Sequence, residues 1–316
     1  VTLFPWLTAA AERLAAARAA ERLPPALLIH EAPGTGARAL ATHFAQLRFC
    51  VAEDARPCGQ CTHCRRVAAG EHPDYVIVGP DPDSKLGQIT VEQVRELSAQ
   101  LALSSYEGRG TVVVVQPADG LNRNAANALL KTLEEPRADA HLVLITGAPS
   151  LLPATIRSRC QKLPVPAPDR ATALAWLTER KPAHRADWPA VLEAVGVAPL
   201  AALDCDVAQV LAIRQEALQL LADAGRGRID VIRVAEGWAK DELPLRLRCI
   251  ENCVTGQLLA RAGGGLQDGA PGMNTVAALR LLDDLRELQR HLATAALNKP
   301  LALERQLWRL SRAGAG

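Results

Sequence analysis

The sequence predicts an α/β domain with a parallel sheet, followed by a small helical unit and an all-α C-terminal domain, and three observations support this. Short apolar runs alternate with helical patterns as far as about Leu163, residues 111–115 include four consecutive valines, and from about Asp206 onward only helical periodicity remains. Strands that alternate with helices make a parallel sheet with helical crossovers. A run that is apolar at every position suits a strand covered on both faces.

In chain order, Thr8 is placed to cap a helix running to about Leu23, where Pro24 and Pro25 stop it. A strand over residues 26–29 leads through the glycine-containing loop EAPGTGAR, residues 31–38, into a helix from about Thr35 to Phe49. Residues 75–78 form a second strand, bounded by Pro73 and by Pro80 and Pro82. Thr90 with Gln93 three residues on makes a capping box, and the helix it opens carries Val91, Val94, Leu97 and Leu101 on one face. The valine strand follows, then a helix over residues 123–134 ended by Pro136, then a buried strand over residues 141–146. Pro164, Pro166 and Pro168 mark a linker.

Asp169 caps a short helix through Arg180, with further helices near residues 188–195 and near Leu200. The expected divisions are thus 1–165, 166–205 and 206–316, with a cysteine module at 50–64. In the last division a loop at residues 263–272 precedes a helix striped with Val276, Leu279, Leu282, Leu285, Leu288 and Leu292. That stripe suits a domain core or, in part, a contact with neighbouring subunits.

A chain of 316 residues allows about two or three domains of ~100–150 residues. With 49% hydrophobic and 22% charged residues it can bury real cores and is not a disordered chain. A net charge of +2 offers no whole-chain field for nucleic acid, and 3% aromatic residues argue against a base-stacking surface. No apolar run reaches the ~18–20 residues that span a bilayer, and the N-terminal residues lack a signal-peptide layout, so a cytoplasmic location is expected.

Eight cysteines divide into a cluster and a scattered set. Cys58, Cys61 and Cys64 are spaced C-x2-C-x2-C, and Cys50 lies eight residues earlier, at the end of the preceding helix. In a reducing compartment a tight cluster points to metal rather than disulfides. Four thiolates close a tetrahedral zinc site with no position left for water, so the expected role is structural. An iron–sulfur cluster fits less well, because the ferredoxin run needs a fourth cysteine three residues on followed by proline, and Arg65, Arg66 and Val67 stand there. His63 and His72 are nearby substitutes for Cys50 as fourth ligand. Cys160, Cys205, Cys249 and Cys253 are expected to be buried thiols; Cys249 and Cys253 share a helix face without further ligands beside them.

The loop at 31–38 sits where a phosphate-binding loop would, between strand and helix. Matched to G-x-x-x-x-G-K-[ST], however, its first glycine is Glu31, its lysine is Ala37 and its hydroxyl is Arg38, while Gly34 and Gly36 remain. A carboxylate then faces phosphate, no ammonium reaches it and no hydroxyl holds magnesium. From this stretch alone the loop is either a lost nucleotide site or an ordinary glycine turn.

Asn124 to Pro136 reads NAANALLKTLEEP and Thr155 to Cys160 reads TIRSRC. With the inserted four-cysteine module, these segments resemble the clamp-loader branch of the AAA+ ATPases, in particular its bacterial members. The resemblance extends over the α/β domain, the helical lid and the C-terminal helices. It implies an AAA+ P-loop-like α/β domain, a lid, and a collar through which subunits assemble in a ring. An active member carries Asp-Glu after the buried strand, where this chain has Gln116 and Pro117. The lid pattern G-x-x-R-x-A falls on Gly196 to Ala201 and places Pro199 at the phosphate-sensing arginine. Thr146 or Gly147 occupies the polar sensor position at the end of the next strand. Loop, strand end and lid have all lost their phosphate chemistry, so no productive ATP or magnesium binding and no hydrolysis in this chain are expected.

Ser158, Arg159 and Cys160 retain the family motif whose arginine reaches the γ-phosphate held by a neighbouring subunit; Arg157 is the nearest competitor for that role. Glu134 and Glu135 carry no expected catalysis. The resemblance implies ATPase subunits, a wrench-type subunit, the sliding clamp and primed DNA as partners, within a replicative polymerase holoenzyme. A self-sufficient ATPase with a divergent pocket and a zinc-dependent DNA-binding module are the alternatives.

Overall fold

The computed structural model describes residues 3–32, 34–53, 57–80, 87–224, 226–262, 275–294 and 298–314. The chain divides into two compact units, Val1–Pro168 and Asp169–Gly316.

The first unit runs α1 (Thr8–Ala19), β1 (Ala26–Glu31), α2 (Ala37–Phe49), α3 (Thr62–Ala69), β2 (Tyr75–Val78), α4 (Val91–Ala102), β3 (Thr111–Val115), α5 (Arg123–Glu134), β4 (Ala140–Thr146), α6 (Ala154–Arg159) and β5 (Gln161–Val165). The strands form one five-stranded sheet in the order β2-β3-β4-β1-β5, parallel throughout. This is the α/β architecture the alternation predicts. Side chains alternate across the pleat. Leu27, Ile29, Val112, Val114, Val143 and Ile145 therefore join one core with residues of α1 and α2. Leu28, Val113, Val115, Leu142 and Leu144 join another with residues of α4, α5 and α6. All four valines of β3 are fully buried, each worth ~1.5–3 kcal/mol relative to exposure.

Several elements differ from expectation. Thr8 opens α1 rather than capping it: its hydroxyl donates to the Pro5 carbonyl oxygen at 2.9 Å, and Leu7 is the N-cap. The helix stops at Ala19, four residues short of Leu23, ahead of Glu21 at φ 54°. α2 begins at Ala37, because Gly36 at φ 79° stands outside the helix as its N-cap. Pro164, expected in a linker, lies within β5, where it pairs in register with His30. β5 is an edge strand bonded to β1 alone, which is where a sheet tolerates proline. α3 has no counterpart among the expected elements; it is short and begins within the cysteine module, with Cys61 as its N-cap. The Thr90–Gln93 capping box is present with both of its hydrogen bonds.

The second unit is helical: α7 (Arg170–Arg180), α8 (Trp188–Val195), α9 (Pro199–Asp204), α10 (Val207–Ala224), α11 (Val231–Trp238), α12 (Leu243–Ala262), α13 (Thr275–Thr294) and α14 (Lys299–Gly314). α10 and α12 both pack on α8, and α12 on α13. On α13 the buried face is Ala278, Leu281, Leu282, Leu285 and Leu288, whereas Val276 and Leu279 are exposed. A strict three-residue repeat drifts around a helix of 3.6 residues per turn, so the N-terminal members of the expected stripe leave the core face. The expected loop at 263–272 lies outside the described residues. No helix among the described residues is long and apolar enough to cross a membrane.

Candidate functional site

The loop between β1 and α2 is closed by its own first residue. Glu31 Oε1 accepts hydrogen bonds from the Gly36 amide at 2.8 Å and the Ala37 amide at 3.0 Å, with the buried Thr35 hydroxyl at 3.4 Å. Gly34 at φ 71° and Gly36 at φ 79° supply the left-handed turns that bring these amides together. The first amides of a helix have no intrahelical partner and favour an anion. In this loop a side-chain carboxylate meets that need. Trp6 fastens the same turn by donating to the Thr35 carbonyl oxygen at 2.7 Å.

Two more of the altered positions in unit 1, Arg38 and Gln116, meet each other. Arg38 Nη1 donates to Gln116 Oε1 at 3.2 Å, so the residues at the magnesium-hydroxyl and magnesium-carboxylate positions form a neutral–cation hydrogen bond. Pro117 follows at the start of a short turn, Ala118–Gly120. Thr146 is fully engaged: its hydroxyl donates to Asp119 and accepts from the Ala148 amide at 3.0 Å. Pro199 is buried at the first turn of α9, in the second unit.

Arg159 ends α6. Its Nη2 lies 2.7 Å from Glu134 Oε1 and its Nη1 donates to the Thr155 carbonyl oxygen at 3.1 Å, with the side chain 37% exposed. Ser158 donates to the same carbonyl oxygen at 3.1 Å. Cys160 is buried, which pushes its thiol up to about 11 and fits an anchor between α6 and β5 rather than a reactive group. The acidic partner Glu134, read from sequence as a plain helix end, is what the fold places against Arg159. LEEP alone carried no signal for that contact, because α6 is a separate element twenty residues on.

The four clustered cysteines converge. The sulfurs of Cys50, Cys58, Cys61 and Cys64 all lie within 4.8 Å of one another. Backbone amides point at them: Cys58 N to Cys50 Sγ at 3.4 Å, Cys61 N to Cys58 Sγ at 3.3 Å and Cys64 N to Cys61 Sγ at 3.4 Å. Cys61 is also the N-cap of α3. The amides of Cys61 and Gln60 bring the Cys58 thiol down to about 6. Burial opposes ionisation of Cys61 but is outweighed by the Val51 and Cys64 amides, so its thiol is also lowered; burial raises that of Cys64. Four sulfurs at this spacing, already receiving N–H···S bonds, fit a closed tetrahedral zinc site with Zn–S bonds of ~2.3 Å. Of the scattered thiols, Cys249 is buried like Cys160, while Cys205 and Cys253 are half-buried rather than buried.

His63 and His72 turn away from the sulfurs to a separate cluster. Glu107 Oε2 lies 3.0 Å from His63 Nδ1 and 3.1 Å from His72 Nε2, and Arg66 pairs with Oε1. His72 Nδ1 accepts from the Asp74 amide at 3.2 Å, which puts the proton of a neutral ring on Nε2. A metal bound at Nε2 needs the opposite tautomer. Burial lowers His72, against the opposing pull of Glu107, and so disfavours its charged form. The cluster is thus a polar clasp, and Asp74 extends it by accepting from the Tyr106 amide at 2.6 Å and the Glu107 amide at 3.0 Å. It ties α3 to the segment between α4 and β3. Sequence separation hid this: Glu107 is more than thirty residues from His72.

Residues 6–169 match a family model described as "DNA polymerase III, delta subunit". The DNA polymerase III subunit delta' of Pseudomonas aeruginosa is 38% identical over 70% of this chain and 67% of its own length. The subunit of the same name from Yersinia pestis is 31% identical over 96% of this chain and 94% of its own. The DNA polymerase III subunit tau/gamma of Haemophilus influenzae is 36% identical over 44% of this chain and 20% of its own.

Proposed function

The chain belongs to the DNA polymerase III delta-prime family of clamp-loader subunits, and we propose that within that loader it is a non-hydrolysing member that works on a neighbour's nucleotide. It presents Arg159 to the γ-phosphate bound by an adjacent ATPase subunit, while its own loop takes no nucleotide productively. An arginine suits this task because its planar, permanently charged fork neutralises charge on the transferred phosphoryl group. Residues 166–205 serve as the lid and residues 206–316 as the collar that joins the ring. The partners are the ATPase subunits, of which the tau/gamma-like relative is a natural candidate, and a wrench-type subunit. The sliding clamp and primed DNA are met through the assembled complex. Cys50, Cys58, Cys61 and Cys64 hold a zinc ion whose contribution is to fix the fold of residues 50–64. The polymerase chemistry belongs to other subunits of the holoenzyme.

The observation that carries this reading is the Glu31 carboxylate on the Gly36 and Ala37 amides, the position a phosphate needs. Beside it, Ala37 brings no ammonium, and the Arg38–Gln116 pair brings neither the hydroxyl nor the carboxylate that holds magnesium in such loops. The isolated chain is expected to show no magnesium-dependent ATP hydrolysis above buffer, measured as phosphate release over hours. Hydrolysis that a Gly34 or Gly36 substitution abolishes would make the chain a self-sufficient ATPase. Tight binding of the isolated chain to DNA, falling steeply with salt, would instead mark a DNA-binding module.

A further inference from the structure

We infer that Glu31 is the built-in occupant of the loop's anion site and the residue that determines exclusion of phosphate from it, an inference that rests on reading the loop as nucleotide-free. α2 is a 13-residue helix whose N-cap is Gly36, a residue with no side chain to cap it. Capping of its first amides falls instead to a residue five and six positions earlier, through a single oxygen on two N–H groups. Bonds of 2.8 and 3.0 Å to an ionised acceptor are the charge-assisted kind. The same pair of amides at a helix N-terminus is what a phosphate oxygen takes in nucleotide-binding loops.

Glu31 therefore does two things at once. It satisfies amides that would otherwise be unpaired at the end of α2, which keeps the loop folded without a ligand. It also sets a negative charge where a polyphosphate would have to enter, so an incoming anion must displace a bonded carboxylate of its own sign. Thr35 is fully buried beside this contact, with its hydroxyl 3.4 Å from the same carboxylate oxygen. The loop is closed from within by the residue that replaces its first glycine.

The test is chemical rescue in the full chain, with inorganic pyrophosphate as probe. Glu31→Ala is expected to lower the thermal midpoint, and pyrophosphate is expected to restore it along a saturating curve while leaving the wild-type midpoint unmoved. By calorimetric titration Glu31→Ala should bind pyrophosphate at least roughly tenfold more tightly than wild type, the size of a favourable anion–helix interaction. Glu31→Gln keeps an acceptor oxygen but no charge, and should gain part of that affinity while losing less stability. If Glu31→Ala does not fold, the gain in Glu31→Gln carries the test. Equal pyrophosphate affinity in wild type and in the folded variants would overturn the inference. That outcome would leave the reading of Arg159 untouched, since that reading is scored by ATP turnover in the assembled loader.

Discussion

Replacing Arg159 by alanine is expected to leave the clamp loader assembled while slowing ATP turnover, at the site that receives this arginine, by on the order of 10³-fold or more. The comparison with arginine fingers sets the scale, because a guanidinium that meets the transferred phosphoryl only in the transition state contributes to rate far more than to binding. In the isolated chain the side chain has a partner, Glu134, at 2.7 Å. That pair does not compete strongly. Both side chains are more than a third exposed, and exposed ion pairs contribute ~0–1 kcal/mol. The γ-phosphate with its developing charge is the stronger acceptor, so the fork can be redirected at small cost. Glu134→Gln should accordingly leave turnover within about threefold of wild type, a change of under ~1 kcal/mol. The measurement is steady-state ATPase and clamp-loading assays on the reconstituted complex, with size-exclusion chromatography to check assembly. Unchanged turnover in Arg159→Ala would leave Arg159 as a structural ion pair, and loss of turnover in Arg157→Ala instead would move the role to that neighbour.

Legibility in the sequence followed the range of the interactions involved. β3 was readable because burial on both faces leaves no polar position in residues 112–115, and α4 because its capping box is local. β5 was not, because Pro164 reads as a breaker and only the sheet order reveals that it occupies an edge. The same divide runs through the candidate site. The absence of lysine and hydroxyl at Ala37 and Arg38 was plain from spacing. What replaced them was not: the turn of Glu31 back onto its own loop depends on the left-handed glycines, and the Arg38–Gln116 contact spans 78 residues. The cysteine cluster was readable because its members stand close together in the sequence. The clasp of His63, His72, Arg66 and Glu107 was not, because Glu107 stands far from the other three.

Removing the metal should have the largest effect on stability. Cys61→Ser/Cys64→Ser is expected to release about one zinc per chain and to unfold α3, with loss of cooperative melting in the first unit. Cys61 caps α3 and Cys64 is buried within it, so both the helix start and the sulfur cluster fail together. Zinc binding contributes ~10–16 kcal/mol in isolated finger peptides, and that energy is folding energy. If even about a third of it acts here, ~3–5 kcal/mol, it approaches the lower end of the ~5–15 kcal/mol net stability of a whole domain. The module is not held by metal alone. Gln46 donates to the Cys64 carbonyl oxygen at 2.9 Å, Phe49 stacks on His72 with ring centroids 4.2 Å apart, and Glu107 pairs with Arg66. These contacts leave from α2 and from the segment before β3, so they transmit disorder in the module to both. A chelator should therefore lower the thermal midpoint of the wild-type chain toward that of the double variant and leave the variant unmoved. Metal analysis by mass spectrometry on the purified native chain provides the independent check: finding no zinc, or a chelator without effect on melting, would leave the four sulfurs as a thiol cluster stabilised by amide hydrogen bonds alone.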